Sequence, residues 1–147
     1  EPRGHNSLRD STSADKKRII MEEQKALGNA EFKAGNYEKA IGFFTKAIEL
    51  EANHVLYSNR CTAYIALEHY ERAMEDADEC VRLQPTWAKG YSRRAAAKFH
   101  LGDLQAAKLA YSKAWDLEPT NAKTKADLEH VLSEIAGMRV VLPDRQA

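Results

Sequence analysis

The sequence predicts an all-α fold, a right-handed superhelix of three helical hairpins closed by a C-terminal capping helix. The first supporting observation is that anchor positions recur at intervals of 33 and 34 residues. The recurring sets are Tyr37, Tyr70 and Leu104; Ala40, Ala73 and Ala107; Ala47, Cys80 and Ala114; and Leu50, Leu83 and Leu117. The second is that each unit of this length contains two segments with helical apolar spacing. Stacked helical hairpins with a concave groove have this pattern, so function should be sought in the groove.

The composition agrees with a helix-rich globular domain, because 44% of the 147 residues are hydrophobic, 30% are charged and only 7 are Gly. Lys plus Arg equals Asp plus Glu at 22 each, so no net charge draws the protein to nucleic acid or to a membrane. No apolar run approaches the roughly 18 residues of a membrane span, and the first residues lack a signal-peptide pattern. We therefore expect neither a nucleic-acid nor a membrane partner. The absent signal, the cysteine usage and the family resemblance described below favour the cytoplasm, with the nucleus as an alternative, and we expect a monomer.

Catalytic and metal-binding patterns are absent from the sequence. Cys61 and Cys80 are the only cysteines, and each aligns with small residues of the other repeats, so we predict two reduced core residues. The 5 His residues have no metal-ligand spacing, and we find no Ser/His/Asp set or Gly-rich phosphate loop. We expect no cofactor, no metal and no catalysis by this chain.

The predicted domain organisation has three parts: a disordered arm at 1–13, a repeat domain at 14–138 and a frayed tail at 139–147. The first helix is expected to open after a Ser13 cap and to run toward Gly35. The repeats cover about residues 21–53, 54–87 and 88–121, and the capping helix covers about 122–138. The remaining helices are expected at about 37–50, 55–67, 70–83, 87–101 and 104–117.

Cationic and amide side chains recur on the first helices of the three hairpins: Lys25, Asn29, Asn59, Lys89 and Arg93. Lys25 and Asn29 are four residues apart, as are Lys89 and Arg93, so each pair lies on one helix face. Asn59 and Arg93 are 34 residues apart and occupy equivalent positions in adjacent repeats. If all five point into the groove, they form a donor-rich pocket for an anion.

Each of these cations taken alone has a simpler interpretation, since Lys and Arg on helices are usually solvated surface residues. Two further arginines are assigned to the surface. Arg60 aligns with Leu27 of the first repeat, so we expect its stem to pack and its charged head to reach solvent. Arg94 is expected to point outward or to pair with a neighbouring acid.

Three segments resemble the carboxylate-clamp tetratricopeptide repeat (TPR) domains of heat-shock co-chaperones. They are residues 25–32 (KALGNAEF), 57–60 (YSNR) and 89–95 (KGYSRRA). Residues 54–60 and 87–93 are most similar to the first such domain of the Hsp-organising co-chaperones, and the resemblance covers about residues 20–138. It implies that the five donors clamp the two carboxylates of a C-terminal aspartate. That aspartate ends the Glu-Glu-Val-Asp tail of the cytosolic 70 and 90 kDa classes of heat-shock chaperone.

The resemblance predicts an adaptor module that recruits a chaperone by its tail. Upstream tail residues are expected to contact the groove lining, for which the candidates are Phe32, Thr62, Ala66, Ala96, Phe99 and His100. Two alternatives stay open: a TPR scaffold for an internal peptide or helix, and a targeting domain of a larger enzyme. A requirement for a free C-terminal carboxylate discriminates the clamp from the scaffold.

Overall fold

The computed structural model describes residues 12–146, and within this range it contains seven α-helices and no β-strand. The helices are α1 (Ser13–Lys33), α2 (Tyr37–Leu50), α3 (His54–Ala66), α4 (Tyr70–Leu83), α5 (Ala88–His100), α6 (Leu104–Leu117) and α7 (Ala122–Ala136). Consecutive helices pack against each other, so α1 to α6 form three hairpins and α7 packs on the last one. The predicted all-α hairpin fold is confirmed. None of the helices in the described part of the chain has the length and apolar character of a membrane span.

The first helix begins one residue earlier than predicted, with Thr12 as its cap. The Thr12 hydroxyl accepts from the Asp15 amide at 3.0 Å, and the Asp15 carboxylate accepts from the Thr12 amide at 3.2 Å. This reciprocal pair satisfies two amides that would otherwise lack acceptors. Residues 12 and 13 of the predicted disordered arm therefore belong to the start of α1, and residues 1–11 lie outside the described range.

The turn inside each hairpin uses a left-handed backbone conformation at an equivalent position. These positions are Gly35, Glu68 and Gly102, with φ angles of 82°, 61° and 86°. Glycine adopts such angles without steric cost, whereas a residue with a Cβ does not. The second hairpin therefore has a strained turn residue where the other two have glycine.

Small residues allow the helices to approach closely, as the repeat pattern predicts. Ala40, Ala73 and Ala107 are fully buried, and a Cβ added to Gly28 of α1 would lie 2.6 Å from the Phe44 ring of α2. Cys61 and Cys80 are likewise buried, and both are free thiols. Their prediction as reduced core residues is confirmed.

Arg60 departs from its prediction, because its guanidinium is held inside the domain. It donates to both carboxylate oxygens of Asp76, at 2.8 and 2.7 Å, and to the Thr45 hydroxyl at 3.0 Å. The expectation that its head reaches solvent is wrong, since α4 supplies the carboxylate of Asp76, whose side chain is itself only 4% exposed. Arg94, by contrast, pairs with Asp78 at 3.0 Å, as expected.

Residues 139–146 pack against α6 and α7, where the sequence predicts a frayed tail. The Leu142 amide donates to the Glu129 carboxylate at 2.8 Å, and the Leu142 side chain packs on the core of the last repeat. The Arg145 guanidinium lies 3.7 Å from the centroid of the Trp115 ring and donates to Asp116 at 2.6 Å. These partners belong to other elements, so the sequence of the tail alone does not reveal them.

Candidate functional site

Asn29, Asn59 and Arg93 are brought together by α1, α3 and α5, the first helices of the three hairpins. The Asn59 side-chain amide donates to the Asn29 side-chain oxygen at 3.3 Å. The three side chains share one cavity of about 150 Å³, which we call the amide cavity. Its complete lining is Asn29, Phe32, Phe44, Asn59, Thr62 and Arg93. It therefore unites three of the predicted clamp residues with two of the predicted groove residues, Phe32 and Thr62.

Arg93 is the side chain in this group that most clearly requires a partner. Its Nε atom is buried and has no hydrogen-bond acceptor in the described part of the chain. A buried donor without an acceptor costs roughly 1–3 kcal/mol, and more when the group is charged. An anion in the amide cavity would remove this cost, so the site is suited to a negatively charged ligand.

Lys89 does not line the amide cavity. It lines a neighbouring cavity of about 320 Å³, which we call the cap cavity and which Arg93 lines as well. This cavity also includes Ala96, another predicted groove residue. The Lys89 ammonium is 5.6 Å from the centroid of the Trp87 ring, and His54 packs edge-on against that ring at 4.8 Å. The negative face of the indole attracts the ammonium, so Trp87 holds Lys89 on the side of α5 that carries Arg93.

Lys25 is the predicted clamp residue that lies outside both cavities. It lies one turn before Asn29 on α1. Its ammonium is 3.4 Å from the Glu22 carboxylate on the same helix, and both side chains are partly exposed. Such a pair contributes at most about 1 kcal/mol, so a ligand carboxylate can displace Glu22.

Three predicted groove residues, Ala66, Phe99 and His100, lie outside both cavities. Phe99 packs on the core of the last repeat and lies 5.2 Å from the His130 ring. His100 is stacked on Tyr70, with ring centroids 4.6 Å apart. All three are in the last turns of α3 and α5.

Both cysteine thiols are buried, and this burial changes their protonation. Burial raises the pKa of Cys61 to about 12 and that of Cys80 to about 11, although the positive charge of Arg93 acts in the opposite direction. Both thiols are therefore protonated near neutral pH. Within residues 12–146 no three His, Cys, Asp or Glu side chains are grouped as metal ligands.

Sequence reasoning missed the wall of the cap cavity that α7 provides. Thr124 is 4% exposed and Asp127 is half-buried, and both line the cavity opposite Lys89 and Arg93. Continuing the 34-residue period into the capping helix would have found this wall. It places Lys123 at the position of Lys89 and Asp127 at the position of Arg93.

Comparison with known families finds the tetratricopeptide repeat in two adjacent segments, residues 22–54 and 56–86. Among curated proteins, the Hsp70-Hsp90 organizing protein of Triticum aestivum is 51% identical over 110 residues, which are 74% of this chain and 19% of that protein. The chain spans about a fifth of the length of the curated relatives it matches.

Two solved structures with a similar fold contain bound peptides. The first TPR of Spaghetti (RPAP3), bound to the HSP90 peptide SRMEEVD, has a TM-score of 0.78 and 35% identity, over 81% of this chain and 95% of that one. The second TPR domain of human RPAP3, in complex with the HSP70 peptide SGPTIEEVD, has a TM-score of 0.73 and 31% identity. That match covers 82% of this chain and 98% of the human domain.

Proposed function

Because this chain belongs to the tetratricopeptide repeat family, we propose that it is a co-chaperone adaptor module that binds the C-terminal tails of heat-shock chaperones. The HSP90 and HSP70 peptides bound by its structural relatives both end in Glu-Glu-Val-Asp. The observation that carries the proposal is the convergence of Asn29, Asn59 and Arg93 on one cavity, with Arg93 Nε buried and lacking an acceptor.

The chemistry of a C-terminal aspartate suits this set of donors. Its side chain and its terminal carboxylate place two negative charges close together, which no internal residue does. Arg93 offers a planar fork of N–H groups, and Lys25 and Lys89 offer compact positive charges. Asn29 and Asn59 offer amide hydrogens that fix the geometry without adding charge.

The expected affinity is moderate. Hydrogen bonds to charged groups contribute roughly 1.5–3 kcal/mol each, but desolvation and the ordering of a flexible tail offset much of this. A dissociation constant near 1 μM, or about −8 kcal/mol, is the natural expectation.

Tail residues upstream of the aspartate select among chaperones in this proposal. Phe32, Thr62 and Ala96 are the groove residues nearest to the clamp, because each lines a cavity that Arg93 also lines. Ala66, Phe99 and His100 would be reached only by residues farther from the C-terminus. The clamp itself does not distinguish the 70 kDa class from the 90 kDa class, because the tails of both end in Glu-Glu-Val-Asp.

The proposal assigns recognition and no reaction to this chain, and it places the protein in the cytoplasm, where such tails are found. An enzyme domain elsewhere in a longer parent protein would be compatible with it, since this module would then bring that domain to a chaperone.

The test is a calorimetric titration with a peptide that ends in Glu-Glu-Val-Asp, beside the same peptide with a C-terminal amide. We expect micromolar binding of the free acid and its loss on amidation. Equal binding of both peptides would instead indicate a scaffold for internal segments. Binding of neither would remove chaperone tails as the partner.

A further inference from the structure

We propose that the cap cavity, between α5 and the capping helix α7, is a second anion subsite for the acidic side chain of the third residue from the C-terminus of a bound tail. This inference rests on the proposed function and extends it. The lining of the cavity comes from α5, α6 and α7, so the site requires the last repeat and the capping helix together.

The residues that line the cap cavity provide several hydrogen-bond donors that have no acceptor among the residues that the structure describes. Lys89 and Arg93 line it, and neither has a carboxylate within salt-bridge distance among residues 12–146. Three hydroxyl groups also line it, those of Ser92, Tyr111 and Thr124. Charged and neutral donors of this kind suit a carboxylate.

The two acids at the cavity already have partners. Asp127 accepts a hydrogen bond from the Lys123 ammonium at 2.9 Å, and Glu118 accepts one from the Asn121 amide at 3.0 Å. Lys123 partly neutralises Asp127, whereas Glu118 keeps its charge because its Asn121 partner is neutral. The cations that line the cavity, Lys89, Arg93 and Lys123, still outnumber its two acids. An incoming carboxylate shares Lys89 and Arg93 with the terminal aspartate of the tail, and it comes within reach of the hydroxyl groups.

Arg93 sets the spacing between the two sites, because it lines both cavities. In an extended peptide, residues two apart point to the same side and lie about 7 Å from each other. A tail with its terminal aspartate at Arg93 therefore directs its third-from-last side chain along the same wall, toward the cap cavity. In both SRMEEVD and SGPTIEEVD this residue is Glu. In an extended peptide the intervening Val points to the opposite side.

This arrangement predicts a difference between the two adjacent glutamates of the tail. The third-from-last Glu enters the cap cavity, whereas the fourth-from-last Glu points away from it. Replacing the former by Gln should weaken binding about tenfold, as expected for the loss of one charged hydrogen bond. The same replacement at the latter should weaken binding less than about threefold.

The experiment is a set of calorimetric titrations of the parent peptide and the two Gln peptides against the wild-type protein, Ser92→Ala and Thr124→Val. Both variants remove a hydroxyl group from the cap cavity and leave the five clamp residues in place. We expect the penalty for Gln at the third-from-last position to fall from about tenfold to about threefold or less in each variant. Circular dichroism checks their folding, and Ser92→Ala decides the result if Thr124→Val does not fold.

Equal penalties at the two peptide positions in the wild-type protein would overturn the subsite, as would penalties that the variants leave unchanged. Failure of the proposed function would look different. In that case the wild-type protein would not discriminate the free-acid parent peptide from its amide, whatever the effects of the Gln peptides.

Discussion

The Arg60 guanidinium and the Asp76 carboxylate form a two-point hydrogen-bonded ion pair across the interface of α3 and α4, at 2.8 and 2.7 Å. The two side chains are 17% and 4% exposed, and the Tyr57 and Tyr64 rings lie 5.6 and 5.7 Å from the guanidinium. Arg60 follows Asn59 directly in α3. The pair therefore fixes the rotation of the helix that presents Asn59 to the amide cavity.

Replacing Asp76 by Ala should lower the free energy of unfolding by about 3–5 kcal/mol, because it leaves Arg60 buried without its counter-charge. Asp78→Ala is the matched control on the same helix, since Asp78 pairs with Arg94 where both side chains are more exposed. That change should cost less than about 1 kcal/mol. Urea unfolding curves of both variants measure the difference, and similar losses would contradict a structural role for the buried pair.

Replacing Arg93 by Met should weaken binding of a Glu-Glu-Val-Asp peptide about 100-fold, because a charged hydrogen-bonding group is lost from both cavities. The free energy of unfolding should not fall and should rise by up to about 1–3 kcal/mol, since Met retains the apolar stem and removes a buried donor that has no acceptor. Calorimetry gives the affinity and thermal unfolding gives the stability.

Arg94→Met is the control for this variant, because the adjacent Arg94 pairs with Asp78 and lines neither cavity. It should bind the peptide within about twofold of wild type, as expected for an exposed charge outside the site. An equal loss of binding in the two variants would mean that net charge, and not the position of Arg93, governs recognition.

The repeat period was sufficient to predict the helices and the equivalent positions of Asn59 and Arg93, and helical spacing was sufficient to place Asn29 on the helix face of Lys25. Apolar spacing and equivalent repeat positions are local properties of the sequence, and they persist in the fold. The period did not predict the pairing of Lys25 with Glu22 or the separation of the donors into two cavities. Those features depend on side-chain conformations and on the angle between neighbouring helices, which no periodicity encodes.

Arg60 and the C-terminal residues 139–146 of this chain show that contacts between distant side chains are hard to predict from sequence. Arg60 aligns with Leu27, so the sequence predicted a packed stem and a charged head in solvent. Its burial depends on Asp76, an acid 16 residues away on the next helix. Likewise, Leu142 and Arg145 are held by side chains of α6 and α7. Such contacts cannot be assigned until the helices have been placed.

Glu68→Gly should raise the free energy of unfolding by about 0.5–1 kcal/mol. Glycine relieves the strain of a positive φ of 61°, and this gain exceeds the entropy that glycine adds to the unfolded chain. Gly102→Ala, at the equivalent turn with a φ of 86°, is the reciprocal variant and should destabilise the protein. Chemical unfolding of the two variants provides the test, and stabilisation by both would be inconsistent with turn strain.

The two thiols should be inert in the folded protein. Burial raises the pKa of Cys61 to about 12 and that of Cys80 to about 11, from an ordinary value of 9.0. Iodoacetamide at pH 8 should therefore modify them only in denaturant, and mass spectrometry counts the modified thiols. Rapid modification of the native protein would show that α3 and α4 open readily.

The same pKa shifts set the direction of an alkaline stability change. Thiolates form in the unfolded chain above about pH 9 but not in the folded one, so the unfolded state then binds fewer protons. Stability should be unaffected by these groups below pH 9 and should fall as the pH rises above it. In a Cys61→Ala, Cys80→Ala protein this part of the alkaline loss should disappear, and an unchanged loss would assign it to other groups.

The most direct test of the central claim is an NMR titration that follows the side-chain amide signals of Asn29 and Asn59. Asn36 is the internal control, since its amide donates to Glu31 and neither residue lines the amide cavity or the cap cavity. A Glu-Glu-Val-Asp peptide with a free C-terminus should shift the signals of Asn29 and Asn59 and leave the signal of Asn36 in place, and the amidated peptide should shift none of them. Identical shifts with both peptides, or a shift confined to Asn36, would contradict a carboxylate clamp in this groove.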